Sequence, residues 1–506
     1  MATSSSPSSS PSAGRSERTA TDVVIAGILL AACLAVALAL GGCKKILNGG
    51  SAEDSFHIRM LNLLTDSPSV QYSIDTTVIT SAGYLATSGN NAAHPGDHTI
   101  SFAVVRPASL NSSDTTDPIA IGGSFQATYT KDRDYTLFAY GTTTNPKTFT
   151  MDEQSNRAAP DAANIEYQFV NASPNTLSAD VYITAPEGQI TSPTKVATLA
   201  FGEKSTPTAL KLTRRPDVTD TNAALIVDFT IELRDPTTGA ELFNSGKIRL
   251  TEKTRLLWAF ADNIGPGPSK VKLVGIDGAS GTTLDINDQA QVRIVHVSPD
   301  SPAFDVYEGT SLSTPIAANI AFRGTSRYSN VPTGDVDLIA LPAGSQAITI
   351  LFVKEFTAVT NTSYSAYTVG NLGSVDGFVL TDGRRSVPTQ SSFRFFNAAP
   401  SLKDSDALDV YLTLPGQALD FTSSTTVTTD DAAQFKRGTI AYKAALDFIT
   451  LKSGTYEVRM TPTGTSHFVL DTTITVTDGS VQTFALIDDP TTASLELMPV
   501  EEALAQ

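Results

Sequence analysis

The chain has 506 residues, with 35 Lys plus Arg against 52 Asp plus Glu, a formal charge of −17. A surface that tracks phosphates needs clustered positive charge, so this balance argues against nucleic acid as a partner. Charged residues make up only 17% of the chain, below the usual quarter, and Ser, Thr, Gly and Pro are plentiful, as expected for short strands and turns rather than long helices. At ordinary domain sizes the length corresponds to about three to four cores.

A Ser/Pro-rich leader containing Arg15 and Arg18 precedes an uncharged apolar run of 18 residues, Val23 to Leu40, which ends in Leu40-Gly41-Gly42-Cys43. This segment resembles the lipobox of bacterial lipoprotein signal peptides. The resemblance implies that residues 1–42 are removed and that Cys43 becomes the lipid-bearing N-terminus. In a host with an outer membrane, Lys44 where inner-membrane retention uses Asp implies outer-membrane sorting. An uncleaved transmembrane anchor is the alternative, since about 18 apolar residues just span a bilayer. Both readings place the rest of the chain outside the cytoplasm, on the periplasmic or surface face of the envelope. Cys33 lies inside the apolar run, so a chain processed at Cys43 has no pair of Cys left for a disulfide. Residues 43–54, with Gly49-Gly50-Ser51, read as a short tether.

Beyond the tether one segment recurs four times. It begins at His57-Ile-Arg-Met-Leu-Asn62, at Tyr167-Gln-Phe-Val-Asn171, at Val292-Arg-Ile-Val-His296 and at Phe393-Arg-Phe-Phe-Asn397. A Ser/Pro turn follows, and then Val70-Gln-Tyr-Ser-Ile74, Ala179-Asp-Val-Tyr-Ile183, Phe304-Asp-Val-Tyr307 or Leu408-Asp-Val-Tyr-Leu412. Spacings of 109, 125 and 101 residues between Asn62, Asn171, His296 and Asn397 make these domain-sized repeats. Alternation in the first strand, Ile58/Met60, Tyr167/Phe169, Val292/Ile294 and Phe393/Phe395 around Arg59, Gln168, Arg293 and Arg394, predicts a strand with one buried face. Later apolar strands are expected at Tyr135–Gly141, at Arg255–Phe260 around the only Trp, at Tyr364–Gly370 and at Val481–Ile487. The fold expected is all-β, a tandem of sandwiches over residues 55–157, 158–287, 288–388 and 389–506.

The Val-His-Val-Ser-Pro-Asp-Ser-Pro and Asp-Val-Tyr segments resemble the DUF4397 family of bacterial envelope proteins. The resemblance is closest in the third copy, and the first copy departs from it at Gln71-Tyr72-Ser73. It implies tandem immunoglobulin-like β-sandwiches in the envelope and supplies no chemistry.

Motifs of catalysis are missing: the sequence has no Gly-x-Ser-x-Gly elbow, P-loop or His-Glu-x-x-His. His94-Pro-Gly-Asp-His98 brings two imidazoles and a carboxylate close in sequence, but Pro95 and Gly96 favour a hairpin tip. His296 stands where the other copies have Asn and is read as a turn-bonding residue rather than an acid or base. Asp285-Ile286-Asn287-Asp288 is similar to the Asp-x-Asn-Asp linker that binds calcium between cadherin domains, which makes Asp285, Asn287 and Asp288 candidate Ca²⁺ ligands, with a polar linker as the alternative. Arg293 with Asp305, and Arg394 with Asp409, are expected to pair on an outer face, because alternation puts each on the polar side of its strand. The function expected is a non-catalytic, lipid-anchored array that spaces or presents binding surfaces to an envelope protein or glycan, with no cofactor. The alternative is an envelope glycan hydrolase using paired carboxylates.

Overall fold

A computed structural model describes residues 54–107, 110, 118–153, 160–215, 218–220, 223–277, 281–345, 351–421 and 435–502. The leader, Cys43 and nearly all of the tether lie outside them. The described residues form eight sheets of four or five strands, two to each of four sandwiches, with two single-turn 3-10 segments at Pro186–Gly188 and Pro400–Leu402. The chain is therefore all-β, with tandem sandwich domains.

Each sandwich is built on one plan. The opening strand, Phe56–Leu64 in the first copy, Asn164–Asn171 in the second, Ala290–His296 in the third and Ser391–Asn397 in the fourth, runs down the middle of one sheet. There it pairs in parallel with the late apolar strand, respectively Asp134–Thr142, Arg255–Asp262, Ser363–Val369 and Val481–Asp489. The Ser/Pro turn does not close a hairpin within this sheet. It carries the chain across the core, so the Asp-Val-Tyr strand lies in the opposite sheet.

Between the sheets lie four separate cores, each filled by the alternating residues of both layers. In the fourth copy Phe393 and Phe395 meet Val410, Val458 and Met460. In the second, Trp258 stacks near Phe169 and Phe229. Burying one such side chain contributes about 1.5–3 kcal/mol, which is how each layer pair holds without cross-links.

The opening strands are buried on both faces. At their ends and just beyond them, Leu61 and Leu63, Val170 and Ala172, Val295 and Val297, Phe396 and Ala398 point away from their own cores into two further clusters. One cluster joins the first sandwich to the second, through Phe138, Tyr140, Leu257 and Val274 among others. The other joins the third to the fourth, through Tyr367, Val369, Ala485 and Ile487. The molecule is thus two docked pairs, each with sheet packed on sheet as in a sandwich interior.

Candidate functional site at the sandwich junctions

The residue that marks the repeat sits at the end of the opening strand and shapes the crossing turn. Asn62 Oδ1 accepts from Leu64 N at 3.1 Å, Asn171 Oδ1 from Ser173 N at 3.1 Å, and Asn397 Oδ1 from Ala399 N at 3.2 Å. His296 makes the same bond through Nδ1, accepting from Ser298 N at 3.3 Å, while Nε2 faces the Pro302 carbonyl at 3.3 Å. An acceptor at Nδ1 fixes the tautomer with its proton on Nε2. Burial holds the His296 pKa down to about 4, so the ring is neutral.

The backbone of the same residue is paired to a second loop. Leu85, Gly202, Arg323 and Lys443, all at positive φ, donate their N–H to the carbonyls of Asn62, Asn171, His296 and Asn397. Only the second copy places Gly there, the residue with least cost in that conformation. This loop lies at the rim of the docked faces.

The expected outer-face pairs do not form. Asp305 accepts from the backbone of Asn319 and Gly344, and Asp409 pairs with Lys436 at 2.8 Å. The reason is topological: the opening strand and the Asp-Val-Tyr strand belong to different sheets, so their polar faces look out of opposite sides of the sandwich. Arg293 and Arg394, 6% and 7% exposed, instead flank Asp382 at the junction of the third and fourth sandwiches. Arg394 also bonds Glu502 at 3.0 Å, and Asp382 accepts from Tyr328 at 2.6 Å and Ser365 at 2.8 Å. Burial, helped by the neighbouring Glu502 charge, raises the Asp382 pKa to about 6 despite Arg293.

The calcium candidates are engaged in structure. Asp285 accepts from Asn244 N at 2.8 Å and from Asn287 N at 2.6 Å. Asp288 accepts from Ser269 N and from the amides of Asn263, at 3.0 Å, and Asn361, at 3.4 Å. Asn263 belongs to the second sandwich and Asn361 to the third, so the tetrapeptide does lie at a domain junction, and donor N–H groups fill its carboxylates. Among the described residues no cluster of three His, Cys, Asp or Glu side chains has metal-binding geometry. His98 bonds Asp75 at 2.9 Å and the His94 carbonyl at 2.7 Å, and the intervening Pro-Gly segment crosses from one sheet to the other rather than turning a hairpin.

The sequence carried a signal for the docked faces that alternation alone concealed. Met60-Leu61, Phe169-Val170, Ile294-Val295 and Phe395-Phe396 are apolar at successive positions, the mark of a strand covered on both sides. The partner that Arg293 finds in Asp382, 89 positions on, and the one that Arg394 finds in Glu502, 108 positions on, in contrast have no local mark.

The profile of the family described as a domain of unknown function, DUF4397, matches residues 56–182 and 290–411. Each match runs through one sandwich and on into the opening strand and most of the next strand of its docked partner. No curated protein matches the sequence. Among solved structures, the Bacillus anthracis TIE protein is similar at 8% identity and a TM-score of 0.15, covering 87% of this chain and 76% of that one. A streptococcal ancillary pilin is similar at 11% identity and a TM-score of 0.13, covering 62% and 95% respectively. On the two profile matches, set in an all-β tandem of sandwiches, the chain is a DUF4397 domain-containing protein.

Proposed function

We propose that this chain is a non-catalytic envelope protein, held to a membrane by lipid on Cys43, whose docked sandwiches present binding surfaces at a fixed spacing. The observation that supports this most is the use made of the buried polar groups. Asn62, Asn171, His296, Asn397, Asp285 and Asp288 each spend their hydrogen-bonding capacity on turns and junctions. Apolar clusters between sandwiches give the array stiffness, since interfaces that resemble a domain core resist hinge motion better than polar ones. The anchor rests on the apolar run that ends at Cys43.

Metabolic labelling with radioactive palmitate tests the anchor. Wild type takes up label and fractionates with membranes, and Cys43→Ala remains unlabelled and unprocessed. An unlabelled wild-type chain that still begins at Met1 overturns the reading.

A further inference from the structure

The second and third sandwiches meet the segment that leads to the fourth at a groove of about 370 Å³. Its walls are the 264–267 loop with Asn263 and Lys270 on one side, Gln291 and Ser363 on the other, and Arg384 between them. Two features of these walls are unresolved by the protein itself. The Ser363 hydroxyl is buried, the residue being 3% exposed, and has no hydrogen-bond partner. Arg384 has its Nε and Nη1 buried and unpartnered, and no ion pair joins it to a carboxylate among the described residues.

A buried guanidinium N–H without an acceptor is costly, and such groups are normally satisfied. In a chain of formal charge −17, carboxylates to satisfy it are abundant, yet none among the described residues pairs with it. The guanidinium is nevertheless held in place, its central carbon 3.9 Å from the centre of the Tyr328 ring. The carboxylate nearest the loop, Asp288, lies beneath Gly267 with both oxygens occupied by donors. Just beneath the surface of the groove lie a planar fork of unpaired donors and a hydroxyl, with the exposed Lys270 as a second cation at its rim, the complement of an oxyanion that reaches them as the wall gives way.

We propose that this three-way junction binds an oxyanion, a carboxylate or phosphate group of a small molecule or an envelope polymer, with Arg384 as its fork and Ser363 and Lys270 as further donors. The proposal gives one binding surface to the array inferred above. It is tested apart from the anchor, so loss of palmitate labelling and loss of anion binding are separate failures.

The test is calorimetric titration of the full-length chain in detergent, at constant ionic strength, with inorganic phosphate in one arm and sodium glucuronate in the other. A saturable heat in either arm supports the site, and the arm that gives it assigns the anion. Arg384→Gln is expected to weaken binding about tenfold or more, the size of one charge-assisted bidentate contact, and Arg384→Lys less, because it keeps charge without the fork. Thermal unfolding shows whether Arg384→Gln is folded; if it is not, Ser363→Ala and Lys270→Gln, each expected to weaken binding several-fold, carry the test. No heat in either arm, or heat equal in wild type and the folded variants, overturns the proposal.

Discussion

The two docked pairs use the same faces of the same sheets, yet they are held by different chemistry. Between the first and second sandwiches the contact is mainly a run of apolar side chains, with the left-handed loop residue Leu85 packed against it and one buried cation, Lys272, 5.3 Å from the centre of the Tyr84 ring. Between the third and fourth the apolar cluster is smaller and charges surround it. The equivalent loop residues there, Arg323 and Lys443, reach across reciprocally, Arg323 to Glu496 at 2.5 Å and Lys443 to Asp376 at 2.7 Å. Those exposed pairs are worth little, about 0–1 kcal/mol each. The buried group of Arg293, Arg394, Asp382 and Glu502 is different, because any member left alone is a desolvated charge. One docking geometry is thus reached mainly by apolar burial in one pair and by burial plus a four-membered buried ionic group in the other.

Removing one member of that group gives the largest expected effect. Arg394→Ala should cost about 3–5 kcal/mol in denaturant unfolding of the full chain, by stranding Asp382 and Glu502. Arg59→Ala, which removes a pairing with Glu153 inside the first sandwich, should cost about 1 kcal/mol. Equal losses for the two variants would remove the distinction between the pairs.

Truncating an apolar contact tests what the pairs share. Leu257→Ala in the first interface and Ile487→Ala in the second should each cost about 2–5 kcal/mol, read as a loss of unfolding free energy. A large loss at Leu257 with almost none at Ile487 would mean that charge alone holds the second pair.

Acid should act on the third sandwich through His296. Its folded pKa, about 4, lies below the unfolded value near 6.5, so the unfolded chain takes up the proton first and stability falls as pH drops from about 6.5 towards 4. His296→Asn, the residue of the other copies, should be close to neutral at pH 8 and stabilising by about 2 kcal/mol at pH 5. Thermal unfolding at the two pH values decides this, and a variant with an unchanged pH profile would show that the ring does not titrate with unfolding.

The smallest effect has the opposite sign. Asp382 has a folded pKa raised to about 6, above its unfolded value, so its contribution is fully present below pH 4 and is lost as pH rises through 6. Asp382→Asn should flatten that part of the profile in the second pair and leave the first pair untouched. Measuring it in the His296→Asn background separates the two titrations, and a slope that survives in the double variant would assign it to another group.

Fold class and the repeat were legible in the sequence because each is local: alternation over a strand and a recurring segment need no knowledge of distant residues. The turn-shaping role of Asn62, Asn171, His296 and Asn397 is local too, since each bonds the backbone two residues on. Which side of a strand faces water is not local. Alternation names two faces, and the sequence reading took the polar one at Arg293 and Arg394 as exposed; pairing of sandwiches buried it. In the same way, the assignment of consecutive strands to opposite sheets separated Arg293 from Asp305 and Arg394 from Asp409. The groove at Arg384 is the extreme case, assembled from Asn263, Gln291, Ser363 and Arg384, residues of two sandwiches and the segment beyond them. Sequence sets the preferences of each short segment through side-chain size and period, while partners more than a strand away are chosen by how whole layers pack, and only the tertiary structure decides that.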